Sequence, residues 1–378
     1  MNTENVKGFN DFTGEKAQKR AKIKKMLVET FEKYGFEPAE TPIIEYEEFV
    51  RGENEKDEAV SDIFRLEDKG KRKLALRYEL TFQLKRLMQN KKLPYKRYQM
   101  GEVFRDEPTS SNRYRQISQC DIDVVGSTIK DEAEILCIAK KILDELKIKT
   151  KICFGSRKLL NEILNEQKIK EKDREQILRE IDKLDKLPEK EILASLKKYN
   201  AQEIIKILKN KKEFFKRYSS YTEIEELEKY CKLYNVDVEF IPFLVRGLSY
   251  YNGNVFEIKS KEMKEALLGG GSYCFNDVQC AGISFGIDRL SSLTKINNEM
   301  EKIMIVSIEK DKEAISISEK LRKNGKEVIL KFGKPSKALE YANSYGINKV
   351  IFIGEKEVKE KKFKIKDMKT GKEKPFSI

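Results

Sequence analysis

Residues 113–125 read Arg-Tyr-Arg-Gln-Ile-Ser-Gln-Cys-Asp-Ile-Asp-Val-Val, and they predict a β-strand with two unlike faces. Successive side chains of a strand point to opposite faces. The odd positions carry the charged and amide groups, namely Arg113, Arg115, Ile117, Gln119, Asp121, Asp123 and Val125. The even positions end in the apolar series Cys120, Ile122 and Val124. The polar face either contacts water, as one face of an antiparallel sheet often does, or forms the floor of a polar pocket.

The segment before this strand predicts its partner. Residues 95–105 are rich in β-forming side chains, and residues 106–112 are the polar stretch Asp-Glu-Pro-Thr-Ser-Ser-Asn. This layout predicts two antiparallel strands joined by a long polar loop. Arg105 ends the first strand and Arg113 begins the second, so two guanidinium groups bracket the loop. Paired arginines suit phosphate oxygens because their charge is permanent and their geometry allows bidentate contacts.

Two further segments add arginines to this pattern. Residues 246–251 read Arg-Gly-Leu-Ser-Tyr-Tyr, and residues 282–290 run from a glycine-rich strand into a helix that carries Arg289. Neither a GxGxxG fingerprint nor a GxxxxGK[ST] loop is present, so the two common phosphate-binding folds are not indicated.

The remaining chain divides by its periodicity. Apolar residues at helical spacing predict helices over residues 15–34, 80–90 and 131–146, and Gly35 ends the first of them. Residues 161–234 form a glycine-poor helical block, which is a separate small domain or an insertion, and residues 237–293 read as strands. After a linker over Asn297 to Lys302, apolar strands alternate with helices, which predicts a mainly parallel sheet with an edge strand over Phe363 to Met368.

Composition limits the functions that are possible. The 378 residues include no histidine, so a Ser-His-Asp triad, a Cys-His pair and a His-ligated metal are excluded. The cysteines form no CxxC pair, and no metal site built from protein side chains is predicted. The net charge of +13 suits a polyanionic partner such as a nucleic acid, although a solvated lysine-rich surface explains it equally well. No apolar run is long enough to span a membrane and no signal peptide is recognisable, so we expect a cytoplasmic protein.

Several stretches together resemble the histidyl-tRNA synthetases, a family of class II aminoacyl-tRNA synthetases. Residues 104–108, 113–116 and 119–123 resemble motif 2 in its histidyl form. Residues 286–290 resemble motif 3, and residues 7–12 with 34–42 resemble the opening segment and motif 1. The most discriminating match is residues 244–253, Leu-Val-Arg-Gly-Leu-Ser-Tyr-Tyr-Asn-Gly, which resemble a peptide particular to histidyl enzymes.

The resemblance implies an α+β fold. It comprises a class II antiparallel-sheet catalytic domain with a helical insertion and a C-terminal α/β anticodon-binding domain. We expect the catalytic core over residues 1–155 and 237–297, the insertion over 156–236, and the anticodon-binding domain over 303–378. Motif 1 contributes to the dimer interface in this class, so a homodimer is expected.

The resemblance also assigns residues to ATP. Arg105 and Arg246 are expected at the α-phosphate, Arg289 at the γ-phosphate, and Glu107 near the adenine, with Arg113 adding to the clamp. Fixed cations directed at a reacting phosphorus provide electrostatic stabilisation without proton transfer. Mg²⁺ is expected to arrive with ATP and to offset the charge of the triphosphate.

A second set of residues is assigned to histidine. Glu79 matches the glutamate that receives the α-ammonium group, with Thr81 and Gln119 nearby. Asp123 and Tyr251 are expected on either side of the imidazole, beside Tyr250, because an imidazole needs polar partners at both nitrogens. The alternative is that both tyrosines are ordinary strand aromatics.

The sequence departs from the family pattern at four positions. Tyr78 stands in place of a proline, Ser249 in place of an aspartate, and Ser272 and Cys274 in place of an arginine and an aspartate. The expected function is activation of L-histidine with ATP and its transfer to the 3′ end of tRNA(His). The alternatives are a catalytic-core paralogue that acts as a histidine-binding regulatory subunit, and a plain RNA-binding module.

Overall fold

The structure is a computed structural model that describes residues 1–51, 62–110, 113–184, 187–246, 250–296 and 302–377. The chain divides into two compact units, Met1–Ile296 and Asn297–Ile378. The first unit begins with these elements: α1 (Gly14–Lys33), β1 (Glu37–Pro38), β2 (Ile44–Tyr46), α2 (Glu47–Arg51), β3 (Arg65–Glu67), β4 (Lys73–Leu76), α3 (Leu84–Leu87), β5 (Tyr95–Phe104), β6 (Gln116–Val125), α4 (Ile129–Glu145) and β7 (Thr150–Ser156). It continues with α5 (Arg157–Glu166), α6 (Glu171–Ile181), α7 (Glu189–Lys197), α8 (Glu203–Leu208), α9 (Tyr221–Leu233), β8 (Glu239–Phe240), β9 (Tyr251–Ser260), β10 (Met263–Phe275), β11 (Val278–Gly286) and α10 (Ile287–Leu293).

The main sheet of this unit is dominated by antiparallel pairs. Within the described residues its eight strands follow the order β1-β5-β6-β11-β10-β9-β7-β8, and only the pairs at the two ends, β1 with β5 and β7 with β8, are parallel. A separate three-stranded sheet has the order β2-β4-β3. The mixed α+β class with a large antiparallel sheet is the one expected from the sequence.

Strand β6 separates the hydrophobic core from a polar cavity, as its alternation predicts. Cys120, Ile122 and Val124 are fully shielded from solvent and belong to the main hydrophobic core. Helices α1 and α4 contribute Phe31 and Leu136 to the same core, at positions that recur with helical spacing. The odd face of the strand is also buried, but it lines a cavity, so the interpretation as a pocket floor is correct and the water-exposed alternative is wrong.

Two predicted boundaries near this cavity are wrong. The helix expected over residues 80–90 is a single turn over Leu84–Leu87, because the chain before it is bound to neighbouring groups: the Leu80 carbonyl accepts a hydrogen bond from Arg97 (2.7 Å). The strand expected from Arg113 begins at Gln116 instead, because the amide of Arg115 donates to the Gly8 carbonyl (2.9 Å) rather than to a sheet partner. Arg113 and Arg115 therefore lie in the loop.

The helical block contains α5 to α9 and a 3₁₀ turn at Lys212–Arg217. Its buried side chains, such as Ile177, Ile204 and Leu227, are continuous with the core under the main sheet. The block is therefore part of the first compact unit and not a separate unit.

The second unit alternates strands and helices: β12 (Lys302–Ser307), α11 (Asp311–Lys323), β13 (Glu327–Phe332), α12 (Pro335–Ser344), β14 (Lys349–Ile353), α13 (Glu355–Glu360), β15 (Phe363–Asp367) and β16 (Glu373–Phe376). Strands β13, β12 and β14 are parallel, and β15 and β16 continue the sheet in antiparallel fashion. The edge position predicted for residues 363–368 is wrong, because β16 pairs outside β15. A short polar segment that contains Pro375 gave no strand signal.

The predicted linker over Asn297 to Lys302 lies outside the described residues, apart from Lys302, which begins β12. None of the described helices has the length and apolar character that crossing a membrane requires.

Candidate active site

A cavity of about 700 Å³ opens over the odd face of β6 within the first unit. Gln119, Asp121 and Asp123 line it from β6, and residues of β10, β11 and the loop after β5 contribute further walls. All the residues that the sequence singled out for ATP and histidine line this one cavity: Glu79, Thr81, Arg105, Glu107, Arg113, Gln119, Asp123, Arg246, Tyr250, Tyr251 and Arg289. Residues separated by more than 200 positions in the chain are thus brought to one site.

Asp123 is held by two partners that the sequence analysis missed. The Arg97 guanidinium lies 2.8 Å from the Asp123 carboxylate, and both side chains are almost completely buried. The Tyr273 hydroxyl donates a hydrogen bond to the other carboxylate oxygen. Burial raises the pKa of Asp123, while Arg97 and Tyr273 oppose that effect. The carboxylate is therefore fixed in direction at the cavity floor, since a buried ion pair of this kind is stable only with well-formed partners.

Arg97 was missed because the predicted register differs from the observed one. The predicted loop over residues 106–112 pairs Arg105 with Arg113 and so Arg97 with Asp121, whereas the structure pairs Phe104 with Gln116 and Arg97 with Asp123. Tyr273 gave a weaker signal, because the sequence marks it only as the residue between the two departures Ser272 and Cys274. Ser284, also missed, lies opposite Asp121 on β11.

Asp121 is a second carboxyl group at the cavity floor. Its hydrogen-bond partners are neutral: the Ser284 hydroxyl donates to it, and the Gln119 amide lies 3.3 Å away. Burial and then the negative charge of Asp123 raise the pKa of Asp121 to about 6. This end of the cavity therefore combines buried carboxyl groups with few cations of its own, which suits a positively charged ligand group.

Glu79 is the third carboxyl group at this end. Its side chain accepts hydrogen bonds from the Phe82 amide (3.0 Å) and the Tyr250 hydroxyl (3.2 Å). Burial, with a further contribution from the charge of Asp121, raises the pKa of Glu79 to about 8. Thr81 lines the cavity on the same segment.

Three tyrosines form an aromatic wall beside these carboxyl groups. The ring of Tyr250 lies 4.7 Å from that of Tyr251 and 5.4 Å from that of Tyr273, measured between centroids. Burial raises the pKa of Tyr251 to about 12, so its hydroxyl remains protonated and can donate. Tyr250 and Tyr251 both line the cavity, and the Tyr250 hydroxyl also donates to the Glu79 carboxylate.

Four arginines also line the cavity, and this part of its wall is called the arginine end below: Arg105, Arg113, Arg246 and Arg289. Burial lowers the pKa of Arg289, and the positive charges of Arg105, Arg113 and Arg246 lower it further, while Glu265 opposes them. Since guanidinium groups do not release their protons near neutral pH, this mutual repulsion is relieved when a polyanion enters.

Arg105 is oriented by Tyr78, one of the departures from the family pattern. The guanidinium lies 4.5 Å from the centroid of the Tyr78 ring, and its Nε donates to the Tyr78 carbonyl (3.3 Å). A second nitrogen lies 3.3 Å from the Gln119 side-chain oxygen. The tyrosine therefore supplies a cation–π contact that a proline could not.

Arg113 and Glu107 contact each other across the loop. The Arg113 guanidinium forms an ion pair with the Glu107 carboxylate, which also accepts a hydrogen bond from the Tyr78 hydroxyl at 3.4 Å. Arg113 and Glu107, which the sequence assigned to ATP, thus form an ion pair with each other in this structure. Arg113 is half exposed, so this pair contributes little to stability.

Glycines give the cavity floor its depth. A Cβ atom at Gly282 would lie 2.1 Å from a carboxylate oxygen of Asp123, and one at Gly270 would lie 2.1 Å from the Gly282 carbonyl oxygen. Alanine at either position would therefore displace the carboxylate or the β10–β11 pair.

The other departures lie away from the cavity or outside the described residues. Ser272 points to the opposite side of the sheet from Tyr273, where its hydroxyl donates to the buried Glu132. Asn254 donates to the second oxygen of Glu132 (2.8 Å), and burial raises the pKa of that carboxyl to about 7. Cys274 is exposed. Ser249 lies outside the described residues.

Metal ligands are sparse in this chain. Among the described residues no group of three or more Cys, Asp or Glu side chains could hold a metal ion. The six cysteines are free, and all except Cys274 are buried.

Comparison with known proteins identifies the family. A family model described as Histidyl-tRNA synthetase matches residues 8–290, and one described as Anticodon binding domain matches residues 302–378. Among curated proteins, Histidine–tRNA ligase 2 of Shouchella clausii is 32% identical over 419 residues, which cover 99% of each chain. The second unit is therefore an anticodon-binding domain.

Solved structures share the fold. A histidyl-tRNA synthetase from Nostoc sp. PCC 7120 superposes with a TM-score of 0.87 at 24% identity, over 100% of this chain and 97% of that chain. An ATP phosphoribosyltransferase regulatory subunit/histidyl-tRNA synthetase from Bacillus halodurans C superposes with a TM-score of 0.76 at 21% identity, over 90% of this chain and 96% of that chain. The extent of the family match and the identity to a curated relative decide the assignment: the chain belongs to the histidyl-tRNA synthetase family.

Proposed function

We propose that this chain is a histidine–tRNA ligase. It activates L-histidine with ATP to histidyl-adenylate and pyrophosphate, and it then transfers histidine to the 3′ end of tRNA(His). The observation that carries the proposal is the composition of the cavity wall: buried carboxyl groups with tyrosines, and four arginines whose charges act on one another, line the same cavity. An amino acid with a cationic group and a triphosphate together match these two sets of side chains.

The arginine end binds ATP in this proposal. Arg105 and Arg246 contact the α-phosphate, where negative charge develops as the histidine carboxylate attacks, and Arg289 contacts the γ-phosphate. Because these cations are held before the substrate arrives, they stabilise the transition state without reorganising. Binding of ATP separates Arg113 from Glu107, so that Arg113 joins the phosphate clamp and Glu107 turns to the adenine.

The carboxyl end binds histidine. Glu79 receives the α-ammonium group, beside Thr81 and Gln119. Asp123 and Tyr251 contact the two imidazole nitrogens, and Tyr250 closes the wall next to Glu79. An apolar side chain of similar size would leave these buried polar groups without partners, which is the basis of strong discrimination.

Mg²⁺ accompanies ATP in this proposal and is not a resident metal. The carboxyl groups of the floor lie at the amino-acid end, and no three-ligand cluster is found among the described residues. Phosphate oxygens are therefore the expected ligands of the ion, whose chemical contribution is to offset the triphosphate charge.

Partners and assembly follow from the same assignment. We assign the catalytic core to residues 1–155 and 237–297, the helical insertion to 156–236 and the anticodon-binding domain to 303–378, with tRNA(His) contacting the last. A cytoplasmic homodimer is expected, and exposed apolar side chains on the three-stranded sheet, Ile44, Tyr46 and Leu66, support a protein contact there.

The alternative is a histidine-binding regulatory subunit, as the name of the Bacillus halodurans relative allows. A subunit of that kind has no need for a phosphate clamp, and four arginines line the cavity of this chain. The second unit does not separate the two functions, because the Bacillus halodurans relative covers 90% of this chain and so extends beyond the first unit. The enzyme is therefore the better supported function, and a plain RNA-binding module leaves the cavity without a purpose.

Histidine-dependent ATP–pyrophosphate exchange tests the proposal. The purified protein should exchange with histidine and with none of the other amino acids, and Arg246→Ala should lower the exchange rate by about 100- to 1,000-fold. If histidine binds in calorimetry but supports no exchange, the regulatory alternative replaces the enzyme. If neither histidine nor ATP binds, the cavity belongs neither to a ligase nor to a histidine-binding regulatory subunit.

A further inference from the structure

Glu257 on β9 lies directly across the antiparallel ladder from Gly269 on β10. Neither residue belongs to the set that the sequence assigned to ATP or histidine. Paired residues of an antiparallel ladder project to the same face of the sheet. The Glu257 carboxylate therefore lies beside Gly269, which has no side chain and forms part of the cavity wall at the arginine end.

The Arg246 guanidinium occupies the space that the missing side chain leaves. A Cβ atom at Gly269 would lie 2.4 Å from Nη2, 2.5 Å from Cζ and 2.8 Å from Nη1 of Arg246, and these are its three nearest atoms. Nη1 of the same group donates to a Glu257 carboxylate oxygen at 2.9 Å. Two independent constraints, one steric and one electrostatic, thus act on one guanidinium.

Glu257 has a second cation on its other oxygen. The Lys259 ammonium group lies 2.8 Å from this oxygen, so a cation contacts each oxygen of the carboxylate. The Glu257 side chain is mostly buried, with 16% of its surface exposed. A carboxylate beside a triphosphate site is unfavourable for binding a polyanion by charge alone. Its presence needs another reason, and orientation of Arg246 supplies one.

We propose that Glu257 and Gly269 position the Arg246 guanidinium toward the reacting phosphate, with Glu257 acting as a positioning residue that does not touch the substrate. This inference rests on the proposed function, in which Arg246 contacts the α-phosphate. An arginine side chain has many rotamers, and the ion pair selects the one that lies over Gly269. A displacement of about 1 Å of a group in contact with the reacting atoms lowers turnover by about 100-fold.

Three variants separate the two constraints. Glu257→Ala removes the ion pair, Glu257→Gln retains one acceptor for Nη1 without the charge, and Gly269→Ala places a methyl group where the guanidinium lies. Gly269 has no positive φ, so alanine is compatible with its backbone, and the guanidinium is the mobile end of a long side chain. Glu239→Gln on β8, which removes the charge of another strand carboxylate paired with a lysine, is the matched control.

The expected result is a fall of about 100-fold in the kcat of pyrophosphate exchange for Glu257→Ala and Gly269→Ala, with the KM for histidine within about twofold. Glu257→Gln should recover about tenfold of that loss, because its amide oxygen still accepts from Nη1. Each variant is also combined with Arg246→Ala. In that background a positioning role predicts almost no further loss, since the residue being positioned is gone.

The proposal would be overturned if a substitution lowered kcat by the same factor in the Arg246→Ala background as in the wild type. It would also be overturned if the KM for histidine rose in step with the fall in kcat. If the wild-type protein shows no exchange, the proposed function fails, and the same set of variants is compared by ATP affinity in calorimetry. Positioning then predicts weaker ATP binding for Glu257→Ala only when Arg246 is present. If Glu257→Ala binds ATP more tightly both with and without Arg246, Glu257 acts only through its charge and positioning is refuted. If the wild type does not bind ATP, both proposals are refuted.

Discussion

Replacement of Glu79 by glutamine gives a sharp test of the carboxyl end of the cavity. The variant Glu79→Gln retains the shape of the side chain, its acceptor for the Phe82 amide and a contact with the Tyr250 hydroxyl, which can also accept a hydrogen bond. It loses the negative charge that faces the α-ammonium group of histidine. A hydrogen bond between charged groups contributes roughly 2–3 kcal/mol, which corresponds to a fall of about 30- to 150-fold in kcat/KM for histidine.

The pH dependence of kcat/KM for histidine tests whether the charge of Glu79 is responsible for this effect. Burial raises the pKa of Glu79 to about 8, so at neutral pH the carboxyl group of the empty cavity is mostly protonated. Only the ionised form binds an ammonium group, and kcat/KM reports the pKa values of the free enzyme. The wild-type kcat/KM for histidine should therefore rise as the pH increases toward about 8 and level off above it, and Glu79→Gln should lack this rise.

The assay is pyrophosphate exchange at saturating ATP between pH 6 and 9. The ratio of wild type to variant at each pH removes the ionisation of histidine itself, because both proteins use the same substrate. A loss smaller than about threefold above pH 8, where Glu79 is mostly ionised, or a ratio that does not change with pH, would refute the assignment of Glu79 to the α-ammonium group.

Three further predictions concern other contacts of the first unit. Tyr273→Phe removes a donor from Asp123 and should raise the KM for histidine about tenfold while leaving the KM for ATP unchanged, as exchange kinetics will measure. Arg113→Ala should raise the KM for ATP about tenfold with little effect on the KM for histidine, and equal changes in both would contradict its place in the phosphate clamp. Glu132→Gln should have the same free energy of unfolding as the wild type near pH 4.5 and a value about 3 kcal/mol higher at pH 8. The reason is that burial raises the pKa of Glu132 from 4.5 to about 7, so at pH 8 the wild type holds a buried charge that the variant lacks. Urea denaturation at the two pH values will measure this difference, and a constant difference would show that the carboxyl group is not responsible.

Strand β6 shows why a large part of the fold could be predicted. Its alternation separates a core face from a polar face, and this period-two pattern is local information that one strand carries alone. The hairpin with β5, the glycine-rich strands after residue 237 and the alternating α/β elements after residue 302 are of the same kind. Each was predicted because its pattern is complete within a few turns or one strand.

The failures lie where tertiary contacts overrule local patterns. Residues 80–90 have helical periodicity, but Glu79 and Arg97 bind the backbone at Phe82 and Leu80 and limit the helix to one turn. The pairing of Arg97 with Asp123 depends on the register of two strands, which no single segment encodes. The relation of Glu257 and Gly269 to Arg246 likewise requires three segments that meet only in the folded chain.

The two compact units have separate hydrophobic cores, and this separation should be visible in calorimetry. The cavity and the core beneath β6 belong to the unit that ends at Ile296, whereas the second unit packs its own apolar side chains, such as Ile305 and Val350, around β12 and β14. Heating should therefore produce two unfolding transitions rather than one. Because a ligand stabilises only the unit that binds it, histidine with ATP should raise the midpoint of one transition and leave the other in place, while an anticodon stem-loop RNA should do the reverse.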